Sequence, residues 1–298
     1  MSKKFLLIGH SVLDTIISGE SKTIRPGGIF YSVLGLLNIK EEQDSITLLT
    51  NYDLATFKYF SEIYSAVDYS KSSLVDNIPQ VELTIYPDKE RKEKFSHLTQ
   101  KIFLPNDFEL DKFDIILVNM ITGFELTADE LKSIKSQTNG LIYFDVHSLS
   151  RGIDKNNIRY FRKIPDSKEW LKSIYIIQAN EYEILTLSDF DREEKIAEEI
   201  ISYGVKIVLI TKGSKGSAAY YMSKTSIEKI DVPAIKIDSV NHVGCGDIFG
   251  AVFSYYYSCS ANVKKSLTLA NKAAGIITSY NEISNYSNLK QDLKLNYE

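Results

Sequence analysis

The chain has 298 residues, of which 44% are hydrophobic and 25% charged, as in an ordinary globular protein that can bury a sizeable core. Its 35 basic and 39 acidic residues give a net charge of −4, so no strong field attracts nucleic acid or an anionic membrane. Two cysteines exclude a disulfide framework, and the absence of a signal peptide or of an apolar run of about 18 residues predicts a cytoplasmic protein.

The N-terminal part predicts a strand and a helix with polar residues between them. Residues 5–8 are a short apolar run that begins the main sheet. Asp14 lies near the carboxyl end of this strand, where ligands of open α/β sheets bind, although a solvated turn residue is the alternative. Gly27 and Gly28 precede an apolar helical stretch, residues 29–37, and leave backbone N–H groups that sugar hydroxyls can approach.

Residues 76–105 have a different pattern. Residues 81–86 alternate apolar and polar side chains, as in a strand with one exposed face. We interpret the charged residues 88–94 as a loop and residues 101–104 as the return strand. A small sheet of this kind is either a surface hairpin or a lid over a cleft.

Four near-continuous apolar runs follow, and helical patterns lie between several of them. Such runs are typical of strands buried on both faces of a parallel sheet, so we predict a doubly wound α/β core in a single domain, residues 1–298. The runs are residues 115–118, 141–144, 174–177 and 207–210, and the clearest helices are residues 128–136 and 192–203.

Polar residues follow each of these buried strands. The carboxyl ends of neighbouring parallel strands line one crevice, so these residues predict a binding site. They are Asn119, Asp145, His147, Gln178, Asn180 and Thr211.

The segment Gly244-Cys245-Gly246-Asp247 comes directly before a helical apolar run. The first N–H groups of that helix lack intrahelical partners and carry the positive end of its dipole, which makes an anion site. Asp247 beside it is a candidate proton acceptor. The alternative is a strand-to-helix turn with an N-capping Asp.

Two further motifs have a structural and a functional interpretation. Asn180 and Glu183 form either a capping box or a site for hydrated magnesium, which prefers oxygen ligands. The stretch Thr211-x-Gly213-x-x-Gly216 is either a tight strand connection or a contact to nucleotide phosphate, and it has neither Walker A nor dinucleotide-fold spacing.

In this order the motifs resemble the PfkB, or ribokinase-like, carbohydrate kinase family over nearly the whole chain. The resemblance implies a ribokinase-like fold with a mostly parallel sheet, a small β-sheet lid at residues 11–24 and 76–105, and a homodimer through that lid. It also implies ATP- and Mg²⁺-dependent phosphorylation of a hydroxyl group on a small sugar or sugar-like metabolite.

The resemblance further assigns roles to individual residues. Asp247 matches the catalytic base, and the backbone of Gly244, Cys245 and Gly246 matches the anion hole. Asn180 and Glu183 match the magnesium environment. Asp14, Gly27 and Gly28 match residues that bind sugar hydroxyls, and Thr211, Gly213 and Gly216 match the nucleotide loop. We also expect substrate contacts from Asn119, which ends a buried strand, and from Ser32 and Arg151, which stand at or near family substrate positions. Asn271, an interior polar residue of the last predicted helix, either contacts the nucleotide or faces water.

Three departures from the family pattern concern the cation and the acceptor. Asn241 replaces an Asp that is commonly tied to a monovalent cation, which leaves potassium activation open. Ser32 replaces a usual Asn, and His147 stands near Arg151 where the family often has Asn. The acceptor therefore stays open among nucleosides, ketoses, keto-deoxy acids and inositols. A ligand-binding or regulatory protein with weak or no catalysis is one alternative function, and a nucleotide-dependent oxidoreductase is another.

Overall fold

The computed structural model describes residues 2–86, 89–98, 101–238 and 242–295. The strands in chain order are β1 (Lys4–Ile8), β2 (Ser11–Ser18), β3 (Ser21–Gly28), β4 (Ser45–Leu49), β5 (Asn51–Tyr52), β6 (Ser73–Leu74), β7 (Gln80–Tyr86), β8 (Lys89–Ser96), β9 (Ile115–Asn119), β10 (Leu141–Asp145), β11 (Arg151–Ile153), β12 (Arg159–Phe161), β13 (Ile176–Asn180), β14 (Ile207–Thr211), β15 (Ser217–Met222) and β16 (Ile227–Val232). The helices are α1 (Phe30–Ile39), α2 (Ser61–Tyr64), α3 (Ala128–Ser136), α4 (Ser167–Leu171), α5 (Glu193–Ser202), α6 (Cys245–Ser260), α7 (Val263–Ile276) and α8 (Leu289–Asp292).

The main sheet has eight strands in the order β16-β15-β14-β13-β10-β9-β1-β4. The six strands from β14 to β4 are parallel, and β15 and β16 extend the sheet in antiparallel fashion. Alternate residues of β1 enter two separate cores: Phe5 and Leu7 pack with α1, α6 and α7, whereas Leu6 and Ile8 pack with α3 and α5. The predicted α/β sheet flanked by helices is confirmed, and the single-domain division stays a prediction.

Most of the predicted core elements lie where the apolar runs place them. The third run is an exception, because its strand begins at Ile176 and the N–H of Ile174 still donates to the carbonyl of Leu171. The helix α7 begins at Val263, because the Asn262 side chain accepts the N–H of Lys265 and caps it. No helix in the part of the chain that the structure describes is long and apolar enough to cross a membrane.

A second sheet of four strands, in the order β3-β2-β7-β8, forms the lid. The predicted return strand at residues 101–104 is wrong, because β8 (Lys89–Ser96) lies in what we interpreted as a charged loop. Burial alternates along its end, with Glu93 and Phe95 buried and Lys94 exposed. The charges are compatible with a strand since Lys94 stands opposite Glu82 on the neighbouring strand, where unlike charges attract.

The hairpin of β11 and β12, residues 151–161, holds the lid against the rest of the molecule. We call it the clamp hairpin. Arg151 contacts Glu93 at 2.9 Å, and the Arg159 guanidinium lies 4.0 Å from the centre of the Phe95 ring. The N–H of Phe95 also donates to the carbonyl of Asn157 at 3.0 Å. Three different interactions therefore join β8 to one short hairpin.

A buried contact between a histidine and a glutamate fixes the junction between β1 and the lid. His10, which follows β1, is fully buried, and its Nδ1 lies 3.0 Å from Oε1 of Glu125. The Glu125 carboxylate also accepts the backbone N–H groups of Thr122, Gly123 and Phe124. Because an isolated buried charge is costly, these contacts hold the loop and the histidine together.

We expect Glu125→Gln to lower the free energy of unfolding by about 1–3 kcal/mol near neutral pH, because the amide nitrogen cannot accept the buried N–H groups that the two carboxylate oxygens accept. Burial by itself raises the pKa of Glu125, but His10 and the loop N–H groups outweigh burial and hold that pKa below its ordinary value of 4.5. The stabilisation is therefore complete above about pH 4.5 and is lost as the pH falls through the folded-state pKa. Urea unfolding at a series of pH values measures the difference.

Glu42→Gln is the control, since Glu42 is exposed and its replacement should change stability by less than about 0.5 kcal/mol. A difference between the Glu125→Gln variant and the unmodified protein that stays constant into the acid range would contradict the assignment.

Candidate active site

The start of α6 depends on a glycine in the left-handed region. Gly244 has φ +81° and is the N-cap of α6. A Cβ at this position would lie 2.5 Å from Cγ of Tyr31, so the ring of Tyr31 leaves room only for glycine. Asp247 therefore lies in the first turn of α6, beside N–H groups that have no intrahelical partners. The predicted geometry of the segment is present, and its catalytic role stays a prediction.

Two cavities meet at this segment. The lid cavity, about 80 Å³, lies between the lid and the main sheet, and the α7 cavity, about 550 Å³, lies beside β14, β15 and α7. The lid cavity is lined by Val12, Asp14, Gly28, Tyr31, Val81, Leu83, Glu93, Phe95, Ile121, His147, Val243, Gly244 and Asp247. Cys245 and Gly246 line the α7 cavity instead. Consecutive residues of one short segment thus contact two different cavities.

The lid strands bring the predicted sugar-binding residues together. Asp14 on β2 and Gly28 on β3 both line the lid cavity. Gly27 lies against Asp14, since a Cβ there would stand 2.2 Å from Oδ2 of the carboxylate. Gly28 has φ +66°, and a Cβ would lie 2.3 Å from the carbonyl oxygen of His10. The glycine pair therefore lets the lid approach the carboxyl end of β1.

Asn119 contacts Asp247 directly. It ends β9, is almost fully buried, and donates from Nδ2 to Oδ1 of Asp247 at 2.6 Å. Its own Oδ1 has no hydrogen-bond partner among the described residues. The sequence indicated a substrate contact for Asn119. The structure shows a contact with the candidate base, and the side chain still offers a buried acceptor atom.

Behind Asp247, two of the polar residues that the sequence placed in the crevice, Asp145 and Gln178, form a network. Gln178 donates from Nε2 to Oδ2 of Asp145 and to the carbonyl of Gly246, both at 3.1 Å. Burial, followed by the nearby carboxylates of Glu183 and Asp247, raises the pKa of Asp145 well above its ordinary value. Their position after buried strands had already grouped both residues in the predicted crevice, and the structure adds the hydrogen bonds that join them.

Asn180 and Glu183 adopt the arrangement of the structural alternative. The Asn180 Oδ1 accepts the N–H groups of Tyr182 and Glu183, and Oε2 of Glu183 accepts the N–H of Asn180 at 2.9 Å. No group of three or more His, Cys, Asp or Glu in the described ranges could hold a metal ion. A magnesium ion near Asn180 and Glu183 would therefore be held through water, which agrees with the reluctance of Mg²⁺ to lose its waters.

All four predicted nucleotide-binding residues line the α7 cavity: Thr211, Gly213, Gly216 and Asn271. Asn271 is buried, donating to the carbonyl of Pro233 at 2.8 Å and accepting from Ser217 at 3.0 Å. Gly216 has φ +99°, and a Cβ would lie 2.0 Å from the carbonyl of Val232. The loop therefore makes a tight connection between two strands and also lines the α7 cavity.

Two further predicted substrate residues do not line either cavity, and one predicted feature falls outside the described residues. Ser32 is fully buried in α1, and its neighbour Tyr31 lines the lid cavity. Arg151 lies on the clamp hairpin and contacts Glu93. Asn241, on which the monovalent-cation prediction depends, lies outside the described residues.

Comparison with known proteins agrees with this geometry. The model for pfkB family carbohydrate kinases matches residues 147–289. A deoxyribokinase of Salmonella typhimurium is 28% identical over 121 residues, which span 39% of this chain and 38% of that protein. The ribokinase of Arabidopsis thaliana is 32% identical over 117 residues, 38% of this chain and 30% of that protein. The matched region therefore covers well under half the length of these relatives.

Solved structures match over much longer stretches. Arabidopsis thaliana ribokinase complexed with ribose and ATP has a TM-score of 0.75 at 19% identity, covering 99% of this chain and 100% of that one. A pyrophosphate-dependent kinase in the ribokinase family, complexed with a pyrophosphate analog and myo-inositol, has a TM-score of 0.71 at 15% identity, covering 92% and 94%. The predicted ribokinase-like fold is thereby confirmed.

We expect Gly244→Ala to lower the free energy of unfolding by about 1–3 kcal/mol, because φ +81° and the Tyr31 ring both disfavour a side chain. Gly246→Ala is a matched control two residues away: its Cβ would meet only Nε2 of Gln178, at an ordinary 3.6 Å. Thermal unfolding of both variants measures the difference. Equal destabilisation by the two substitutions would contradict the special role of Gly244.

Proposed function

Because the chain belongs to the pfkB family of carbohydrate kinases, we propose that it transfers a phosphoryl group from ATP to a hydroxyl group of a small sugar or sugar-like molecule. The observation that carries this proposal is the segment Gly244-Cys245-Gly246-Asp247, which contacts both the lid cavity and the α7 cavity. A donor in one cavity and an acceptor in the other would meet at the N-terminus of α6. The oxidoreductase alternative finds no support in the matched family.

In this mechanism Asp247 accepts the proton of the attacking hydroxyl group as a general base. Asn119, at 2.6 Å, holds the carboxylate in place. The backbone N–H groups of residues 244–246 and the helix dipole stabilise the negative charge of the transferring group. Positioning and charge stabilisation of this kind supply most of the catalysis in phosphoryl transfer.

We include Mg²⁺ in the proposal because several carboxylates lie close together near residues 244–247. Asp145, Glu183 and Asp247 lie close enough that their repulsion contributes to the raised pKa of Asp145, and a divalent cation would relieve it. When bound, Mg²⁺ would neutralise charge on the phosphate oxygens. Asn180 and Glu183 are the residues that would hold it, through water.

The α7 cavity favours a nucleotide over pyrophosphate as donor. Its volume of about 550 Å³ lies within the range of ordinary ligand pockets, about 300–1,000 Å³. Apolar side chains form much of its wall, including Ile235, Phe249 and Ala274. Pyrophosphate has no apolar part to bury there, whereas a purine base has two apolar faces.

The lid cavity favours a small acceptor. Its volume of about 80 Å³ is well below that of ordinary ligand pockets. A monosaccharide or small polyol fits this constraint better than a nucleoside, which carries a base as well as a sugar. The homodimer through the lid stays a prediction, and the half-exposed Ile24 on edge strand β3 is a candidate contact.

We expect ATP with Mg²⁺ to support phosphorylation of at least one acceptor in a panel of pentoses, hexoses, inositols and nucleosides, measured by ADP release. Asp247→Asn should lower turnover by about 10²–10⁴-fold, the usual contribution of a general base, with little change in ATP affinity. Pyrophosphate in place of ATP, with phosphate release as the readout, tests the donor.

Asp238→Asn is the control, because Asp238 is exposed and outside both cavities. An Asp247→Asn variant with near-normal turnover would refute the mechanism. ATP binding without phosphorylation of any acceptor would favour the ligand-binding alternative.

We expect Asn119→Asp to move the acid limb of the kcat/KM pH profile to higher pH by about one unit or more. The new carboxylate would stand within hydrogen-bond distance of Asp247, and a like charge raises the pKa of the base that must be ionised. Asn119→Ala is the comparison, since it removes the hydrogen bond without adding charge. Identical pH profiles for these two variants would contradict the contact.

A further inference from the structure

The lid cavity has an acidic lining that the proposed reaction does not require. Asp247 is the proposed base, but Asp14 on β2 and Glu93 on β8 add two more carboxylates. Among the described residues that line this cavity, His147 is the one with a basic side chain, and the guanidinium groups of Arg151 and Arg159 lie behind Glu93 and Phe95. The acceptor therefore meets carboxylates from the lid as well as from α6.

Glu93 stands out among its neighbours on the lid. The other β7 and β8 residues that line the cavity are apolar: Val81, Leu83 and Phe95. A buried carboxylate in such a surface is costly unless it is paired, and Arg151 of the clamp hairpin pairs with it at 2.9 Å. The chain thus keeps a charge at a position where an apolar residue would pack more easily.

We propose that Glu93 is a specificity-determining residue that restricts the acceptor to uncharged polyhydroxylated molecules and rejects sugar acids and sugar phosphates. The inference rests on the proposed kinase function. Hydroxyl groups donate hydrogen bonds to carboxylates, so Asp14 and Glu93 can bind a neutral sugar or polyol. An anionic group in the same cavity would be desolvated beside like charges, which disfavours its binding.

The arrangement also separates the two ends of the site by charge. The N-terminus of α6 attracts the phosphate groups of the donor, whereas Asp14 and Glu93 repel anions from the acceptor side. Arg151 keeps the Glu93 side chain at the cavity wall by joining it to the clamp hairpin. Glu93 therefore selects the acceptor, whereas Asp247 remains the proposed catalytic base.

The test compares neutral acceptors (ribose, fructose and myo-inositol) with anionic ones (gluconate and fructose 1-phosphate), using ATP as donor. We expect kcat/KM for the best neutral acceptor to exceed that for either anion by about 100-fold or more, which is ordinary for a repulsive contact. Glu93→Gln should reduce that ratio by about tenfold or more, mainly through KM of the acceptor, with KM of ATP unchanged.

A matched pair of variants separates the role of Glu93 in acceptor recognition from its structural role in the ion pair with Arg151. Arg151→Gln removes the ion pair and keeps the cavity carboxylate, whereas Glu93→Gln combined with Arg151→Gln removes both. The double variant also leaves no buried charge unpaired, so it is the second choice if Glu93→Gln fails to fold. If Glu93 selects acceptors, only variants that lack its carboxylate lose discrimination against anions.

Two results would overturn the inference while leaving the proposed function intact: preference of the unmodified protein for an anionic acceptor, or an unchanged ratio in both variants that lack the Glu93 carboxylate. Calorimetric titration with each acceptor distinguishes a failure of the proposed function itself. If no acceptor of either class binds or is phosphorylated, both the proposed kinase function and the proposed role of Glu93 are wrong.

Discussion

The contact between Gly244 and the ring of Tyr31 is the constraint on which the site depends. The ring belongs to α1, and the glycine caps α6 in a conformation that side chains rarely adopt. Their close approach fixes where α6 begins, so Asp247 falls in its first turn. Because this start also contacts both cavities, one steric fit determines how a donor and an acceptor would face each other.

Charge is distributed unevenly around this point. The free N–H groups of α6 favour an anion on one side, while the buried carboxylates favour a cation or a neutral molecule on the other. Burial, and then the neighbouring carboxylates of Glu183 and Asp247, raise the pKa of Asp145 above its ordinary value. Gln178 and Asn119 counter part of this cost, because each donates a hydrogen bond to one of the carboxylates.

The lid is closed over its cavity by interactions of three kinds. The clamp hairpin supplies an ion pair, a guanidinium over a ring and a backbone hydrogen bond to the same strand, β8. Covering a cavity removes water from it, which strengthens the electrostatic contacts inside. The same strand carries Glu93, so holding the lid and presenting a carboxylate to the lid cavity are linked through Arg151.

The sequence by itself predicted the α/β core and a helix after Gly244-Cys245-Gly246, and with the family resemblance it indicated the loop of Thr211, Gly213 and Gly216. Continuous apolar runs and glycine-rich turns are local signals, and parallel topology gathers the polar ends of neighbouring strands. Only the tertiary structure decided that β8 is a strand, that Asn119 contacts Asp247 and that Arg151 contacts Glu93. These last two pairs are 128 and 58 positions apart in the chain, so no local pattern of side chains indicates them.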